Sequence, residues 1–313
     1  MDAPLNIFAG TSVPDLAEEV ANLLGLELGR TNIKRFANGE IYVRFQDTVR
    51  GNDVFVIQSL CSPVNDNLVE LLLMVDALKR ASAGRINAIV PHYGYSRQER
   101  KEAPREPISA RMVADILTTV GVDRVITLDL HAPAIQGFFN IPVDHLTALP
   151  LLAEYYRKKN LENACVVALD AGGIKRAEKL AKRLDLPLIG MYKRHPEHNV
   201  SQVTHVMGDI EGKAPLIIED MIDTGGTLLE GVKALLAHGA RPEIHVCATH
   251  AVFSHPIEER LAHPAIKEVL VTNTIPVGPE IKSDKVKTLS IAPLLASTIT
   301  RVHEESSVSS LFN

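Results

Sequence analysis

The sequence predicts an α/β protein of two similar domains, each a mainly parallel sheet flanked by helices. Three observations carry this. Short β-branched apolar runs alternate with longer amphipathic runs along the chain. The short runs have few polar interruptions, the mark of strands covered on both faces. The chain has 313 residues, 46% of them hydrophobic, and a single core stops growing at about 250–300 residues.

In chain order, the runs 54–57, 86–90, 125–128, 165–169, 216–218, 244–248 and 269–272 read as strands. Between them, 67–80 places Leu68, Leu71, Leu72, Val75 and Leu78 close to a 3.6-residue period, which predicts a helix. Segments 109–120, 149–159, 174–184, 227–238 and 294–303 read the same way. Alternation of strand and helix puts helices on both faces of each sheet. The pattern runs twice, with Gly- and Pro-containing connections around 137–150 between the two rounds. The expected domains are therefore 1–147 and 148–313.

A net charge of −5 argues against a general nucleic-acid-binding face. It leaves anionic ligands open, because these need only local donors. No apolar run approaches the ~20 residues of a membrane span. Residues 1–10 lack the basic and apolar regions of a signal peptide, so a cytoplasmic location is expected. Cys61, Cys165 and Cys247 are far apart, lack metal-ligand spacing and are expected to be reduced core residues.

In open α/β sheets, ligands bind beyond the carboxyl ends of strands. After the apolar run 216–218 come Glu219, Asp220, Asp223, Thr224, Gly225, Gly226 and Thr227, then a helix. The helix N-terminus offers unpaired amides, and two glycines let a phosphate approach the backbone. The upstream carboxylates would repel phosphate but accept hydrogen bonds from a pair of sugar hydroxyls. Acids followed by a Thr/Gly cradle fit a sugar phosphate.

This run resembles the ribose 5-phosphate loop of the type I phosphoribosyltransferase fold. Further segments narrow the resemblance to the ribose-phosphate diphosphokinase family, over essentially the whole chain. It implies two phosphoribosyltransferase-like domains, with ATP-binding elements in the first. The second would carry the ribose 5-phosphate loop, the catalytic loop and the C-terminal tail. Residues 129–139 are similar to the family signature in which His131 binds a divalent cation, although Ala134 stands where Gln is usual. Asp170, Gly172 and Gly173 resemble the diphosphate loop, in which the Asp binds a second Mg²⁺. Lys175 and Arg176 on the first turn add positive charge, with a solvated face as the alternative.

Phe36, Asn38 and Glu40, with Arg97, Gln98 and Arg100, resemble the family's ATP-binding elements, although Asp is common where Asn38 stands. In the family these two loops come from different subunits, which implies a homo-oligomer, often a hexamer built from dimers. Residues 192–196 resemble the mobile catalytic loop, with Lys193 as the catalytic lysine and Arg194 beside it. His195 replaces an expected Arg, so a permanent charge gives way to a group that is only partly charged at neutral pH. Glu219 replaces an expected Asp.

The resemblance implies transfer of the diphosphoryl group of ATP to the 1-hydroxyl of ribose 5-phosphate, with Mg²⁺ as cofactor, giving 5-phospho-α-D-ribose 1-diphosphate and AMP for nucleotide biosynthesis. Arg50, Ser82, Arg85, Ser307, Ser309 and Phe312 resemble a site for activation by phosphate and inhibition by ADP. Two alternatives are a non-catalytic regulatory member of the family and a phosphoribosyltransferase. The first would carry damaged catalytic segments. The second would need neither an adenine site nor two domains.

Overall fold

The computed structural model describes residues 3–194 and 203–312. The chain forms two compact units: residues 1–147, 274–276 and 290–313, and residues 148–273 and 277–289.

The first unit holds β1 (Leu5–Ala9), α1 (Pro14–Leu23), β2 (Thr31–Arg35), β3 (Ile41–Phe45), β4 (Asp53–Ile57), α2 (Val64–Arg80), β5 (Arg85–Val90), α3 (Ser109–Val120), β6 (Arg124–Leu128) and β7 (Val143–Leu146). Its parallel sheet runs β1-β4-β5-β6-β7. β4 is buried at every position, so both faces are covered and the sequence is apolar without alternation. β2 and β3 form a separate antiparallel hairpin, half-exposed, and its charged residues interrupt the apolar ones.

The second unit holds α4 (Leu149–Lys159), β8 (Ala164–Ala168), α5 (Ile174–Leu184), β9 (Leu188–Arg194), β10 (Val203–Met207), β11 (Ala214–Ile222), α6 (Gly226–Ala237), β12 (Ile244–Ala251), α7 (Ile257–Leu261), β13 (Ile266–Thr272) and β14 (Val286–Leu289). The sheet order is β10-β9-β8-β11-β12-β13-β14, parallel except for the β9–β10 pair. Cys165 and Val167 of β8 pack with Leu228 and Val232 of α6. Val166 and Ala168 pack with Ala177 and Leu180 of α5. Successive strand residues thus feed opposite helical layers.

Residues 290–313, expected with the second domain, pack in the first unit instead. They carry α8 (Ala292–His303), which lies against α1. The physical tie is a buried Asp53 whose carboxylate receives two Arg85 bonds (2.8 and 2.5 Å) and faces His303 Nδ1 at 2.8 Å. Arg85 also donates to the Val302 carbonyl (3.1 Å). All three cysteines are free and buried. Among the described residues, no helix is long and apolar enough to cross a membrane.

Candidate active site

In the second sheet, chain order reverses between β8 and β11: β8 leads outward to β9, and β11 leads the other way to β12. Such a switch point opens a crevice at the strands' carboxyl ends. Asp170 follows β8, and the acidic run ends β11 beside it.

The expected loop begins as strand. β11 continues through Glu219 to Ile222, with Glu219 opposite Ala248 and Met221 opposite His250. The apolar signal ends at Ile218, but β12 is long enough to keep pairing the backbone. Glu219 and Asp220 are therefore fixed by a sheet ladder, and only Asp223–Gly225 turn toward α6. Gly225 is the N-cap of α6 with φ +77°, and no side chain caps the helix. That leaves the first amides of α6 without a capping acceptor, as an anion site requires.

Asp220 is buried, and Arg176 Nη1 lies 3.4 Å from its Oδ1. Arg176 is half-buried on α5, not on a solvated face, whereas Lys175 is exposed. Glu219 is half-buried, and its carboxyl is pushed up to about 8. Burial is the main cause, the neighbouring Asp170 and Asp220 charges add to it, and Arg176 opposes it.

Asp170 is exposed, and its Oδ1 accepts the Gly173 amide (2.8 Å), which leaves Oδ2 for a ligand. Hard oxygen donors in excess of local positive charge suit Mg²⁺. Among the described residues, no group of three or more His, Cys, Asp or Glu could hold a metal alone. A Mg²⁺ ion held at Asp170 would need phosphates and water to complete its coordination.

Lys193 and Arg194 lie on β9, opposite Thr204 and Val203 of β10, so the expected catalytic loop starts within a strand. Their side chains, that of Phe312, and His195 lie outside the described residues.

In the first unit, exposed Phe36, Asn38 and Glu40 form the β2–β3 turn. Asn38 Oδ1 accepts the Glu40 amide (3.2 Å), and the Phe36 ring stands edge-on to Tyr42 at 5.9 Å. Arg97, Gln98 and Arg100 fall between β5 and α3. Gln98 Oε1 accepts the Ser109 hydroxyl (2.5 Å) at the start of α3, which anchors its side chain. Arg100 bonds Glu102 (2.7 Å).

His131 is exposed after β6. The preceding turn is pinned: Asp129, at φ +35°, accepts the Thr147 hydroxyl (2.7 Å), and His145 Nε2 accepts the Leu130 amide (2.9 Å). His131 and Asp170, the two expected metal ligands, belong to different units.

Of the expected effector residues, Arg50 donates to Ser82 Oγ (3.2 Å), and the Ser307 and Ser309 hydroxyls are 3.2 Å apart. The Arg85 guanidinium is engaged by Asp53 and by the Val302 carbonyl of α8.

Two arginines matter more than the sequence suggested. Arg176 was readable only as a charge next to a motif. Arg260 on α7 carried no signal, yet its Nη1 donates to the Thr224 carbonyl (2.8 Å) from 36 residues away.

Known proteins share this arrangement from end to end. Residues 5–121 match the N-terminal domain of ribose phosphate pyrophosphokinase, and residues 189–313 match the phosphoribosyl synthetase-associated domain. A ribose-phosphate pyrophosphokinase of Caldanaerobacter subterraneus subsp. tengcongensis is 53% identical over 309 residues, covering 98% of each chain. The Bacillus subtilis protein of that name is 49% identical over 312 residues, covering 100% of this chain and 98% of the relative. The crystal structure of phosphoribosylpyrophosphate synthetase from Mycobacterium smegmatis superposes with a TM-score of 0.91 at 45% identity, over 97% of this chain and 100% of the other. With relatives of this identity matched over nearly their whole length, the chain belongs to the ribose-phosphate pyrophosphokinase family.

Proposed function

We infer that the chain transfers the diphosphoryl group of ATP to the 1-hydroxyl of ribose 5-phosphate, releasing AMP and 5-phospho-α-D-ribose 1-diphosphate. The observation that carries this is the end-to-end match to relatives named for that reaction. The match runs through both units, which favours this reading over a phosphoribosyltransferase. The main metal and phosphate residues are present, which favours it over a non-catalytic family member.

The sugar oxygen bonds to the β-phosphorus, and the bond from that phosphorus to the α-phosphate's bridging oxygen breaks. The protein's task is alignment and charge compensation rather than covalent chemistry. Thr224, Gly225, Gly226 and Thr227 hold the 5-phosphate at the start of α6. Asp220 and Asp223 accept hydrogen bonds from ribose hydroxyls, and Glu219 makes a weaker contact. Asp170, Gly172 and Gly173 line the diphosphate path. Phe36, Asn38, Glu40, Arg97, Gln98 and Arg100 receive ATP, with the Phe36 ring against adenine. Lys193 and Arg194 stabilise charge on the phosphate undergoing transfer. His131 would hold a Mg²⁺ on the nucleotide and Asp170 a second, and the bound ions would supply charge compensation for phosphate oxygens.

The reading extends to a cytoplasmic homo-oligomer, a hexamer built from dimers. Phosphate and ADP act as effectors through Arg50, Ser82, Arg85, Ser307, Ser309 and Phe312. The domain assignment follows: ATP elements in the first unit, sugar phosphate and catalytic lysine in the second.

The test is AMP formation from ATP, with and without ribose 5-phosphate, and with and without inorganic phosphate. AMP that depends on the sugar phosphate supports the reading. A chain that binds ATP but yields no AMP under either condition would falsify it.

A further inference from the structure

α7 forms a floor under the two-glycine turn. A Cβ on Gly225 would meet Ile257 Cδ1 at 2.6 Å, and one on Gly226 would stand 3.2 Å from Arg260 Nη1. That same nitrogen donates to the Thr224 carbonyl at 2.8 Å. A guanidinium carries five donors in a rigid fork, so one bond leaves most of its capacity and all of its charge available. Glu258 on the same helix accepts the Lys282 amide (3.0 Å). Among the described residues, no carboxylate is ion-paired with Arg260. An unneutralised cation thus sits beside the N-terminus of α6, the end that already carries positive partial charge.

We propose that Arg260 is a positioning residue for the 5-phosphate of the sugar substrate. It ties the Thr224 carbonyl oxygen back toward α7, away from the anion it would otherwise repel. The amides from Gly225 to Thr227 are then left facing the phosphate. Its charge adds to theirs without direct contact. This deepens the role given above to the Thr224–Thr227 cradle and rests on that reading.

The test compares wild type with Arg260→Met, Arg260→Gln and Arg260→Lys. Arg260→Met is expected to raise KM for ribose 5-phosphate about tenfold, the scale of one charge-assisted hydrogen bond. Its kcat and its KM for ATP should stay at the wild-type values. Arg260→Gln keeps a donor without charge and should fall between the two. Arg260→Lys should recover most of the affinity, and the gap between Met and Lys should narrow in high salt. Wild-type KM in Arg260→Met overturns the proposal. So does a parallel loss of kcat, both KM values and melting temperature in Met and Lys alike, which would make Arg260 a structural strut. Calorimetry with ribose 5-phosphate alone separates this proposal from the one it rests on. A tenfold weaker Kd in Arg260→Met supports Arg260 even if no AMP is made, and an unchanged Kd overturns it even if AMP is made.

Discussion

Arg176 Nη1 lies 3.4 Å from Asp220 Oδ1, and it bridges the first turn of α5 to the acidic end of β11. It is the positive charge set against a group of three carboxyl groups, Asp170, Glu219 and Asp220. Removing one partner of a buried charge pair leaves the other uncompensated, and for this rather long pair the cost is roughly 1–3 kcal/mol. Arg176→Gln should therefore lower kcat/KM for ribose 5-phosphate by about 10–100-fold, with Arg176→Lys in between. Steady-state kinetics decide it. An unchanged kcat/KM would mean that Asp220 is held in place by the β11 ladder alone.

Glu219 predicts a pH effect on the ligand-free protein. Its carboxyl is raised from 4.5 to about 8, so the folded state holds a proton that the unfolded chain has released. Stabilisation is full below the unfolded value and disappears as pH rises through about 8. Urea midpoints measured from about pH 6 to about pH 9 should fall in wild type and flatten in Glu219→Gln. Parallel curves would count against a protonated Glu219.

Gly225 combines a left-handed backbone, φ +77°, with Ile257 in the path of any side chain. Gly39 has φ +91° and open space around it. Gly225→Ala should cost about 1–3 kcal/mol and raise KM for ribose 5-phosphate, while Gly39→Ala should show only the backbone strain of about 1 kcal/mol. Equal melting temperatures for the two variants would show that Ile257 yields freely.

Glu268 lies on β13 near its amino-terminal end, away from the proposed site. Burial pushes its carboxyl up, but His245, Lys159 and Tyr155 outweigh this and hold it at about 2. Lys159 Nζ is 2.6 Å away and Tyr155 OH is 2.9 Å away. The depressed value means that stability is present above the ordinary 4.5 and drains away as pH falls through about 2. Glu268→Gln should remove on the order of 2–3 kcal/mol at neutral pH and blunt the acid transition. Acid titration of the circular dichroism signal measures this, and an identical transition in the variant would contradict it.

What the sequence made legible follows from where each signal resides. β4 and β8 are buried on both faces, so their strings announce them. α3, α4 and α5 begin and end where the apolar period does. The β2–β3 hairpin was missed because half-exposed strands mix charge with apolar residues. α8 reads with the second domain because its anchor at Asp53 lies 250 residues away in sequence. The turn at Thr224–Gly225 and the start of α6 are legible because both are local. The partners of Arg176, Arg260, Gln98 and Arg85 are not, because each is set by packing between elements.

The most direct test of the central claim follows the phosphorus. ATP labelled in the β-phosphate is incubated with ribose 5-phosphate and Mg²⁺, and the products are separated. The label should pass to the sugar, one equivalent for each AMP released. Label retained in ADP, or AMP formed with free diphosphate and no labelled sugar, would contradict it.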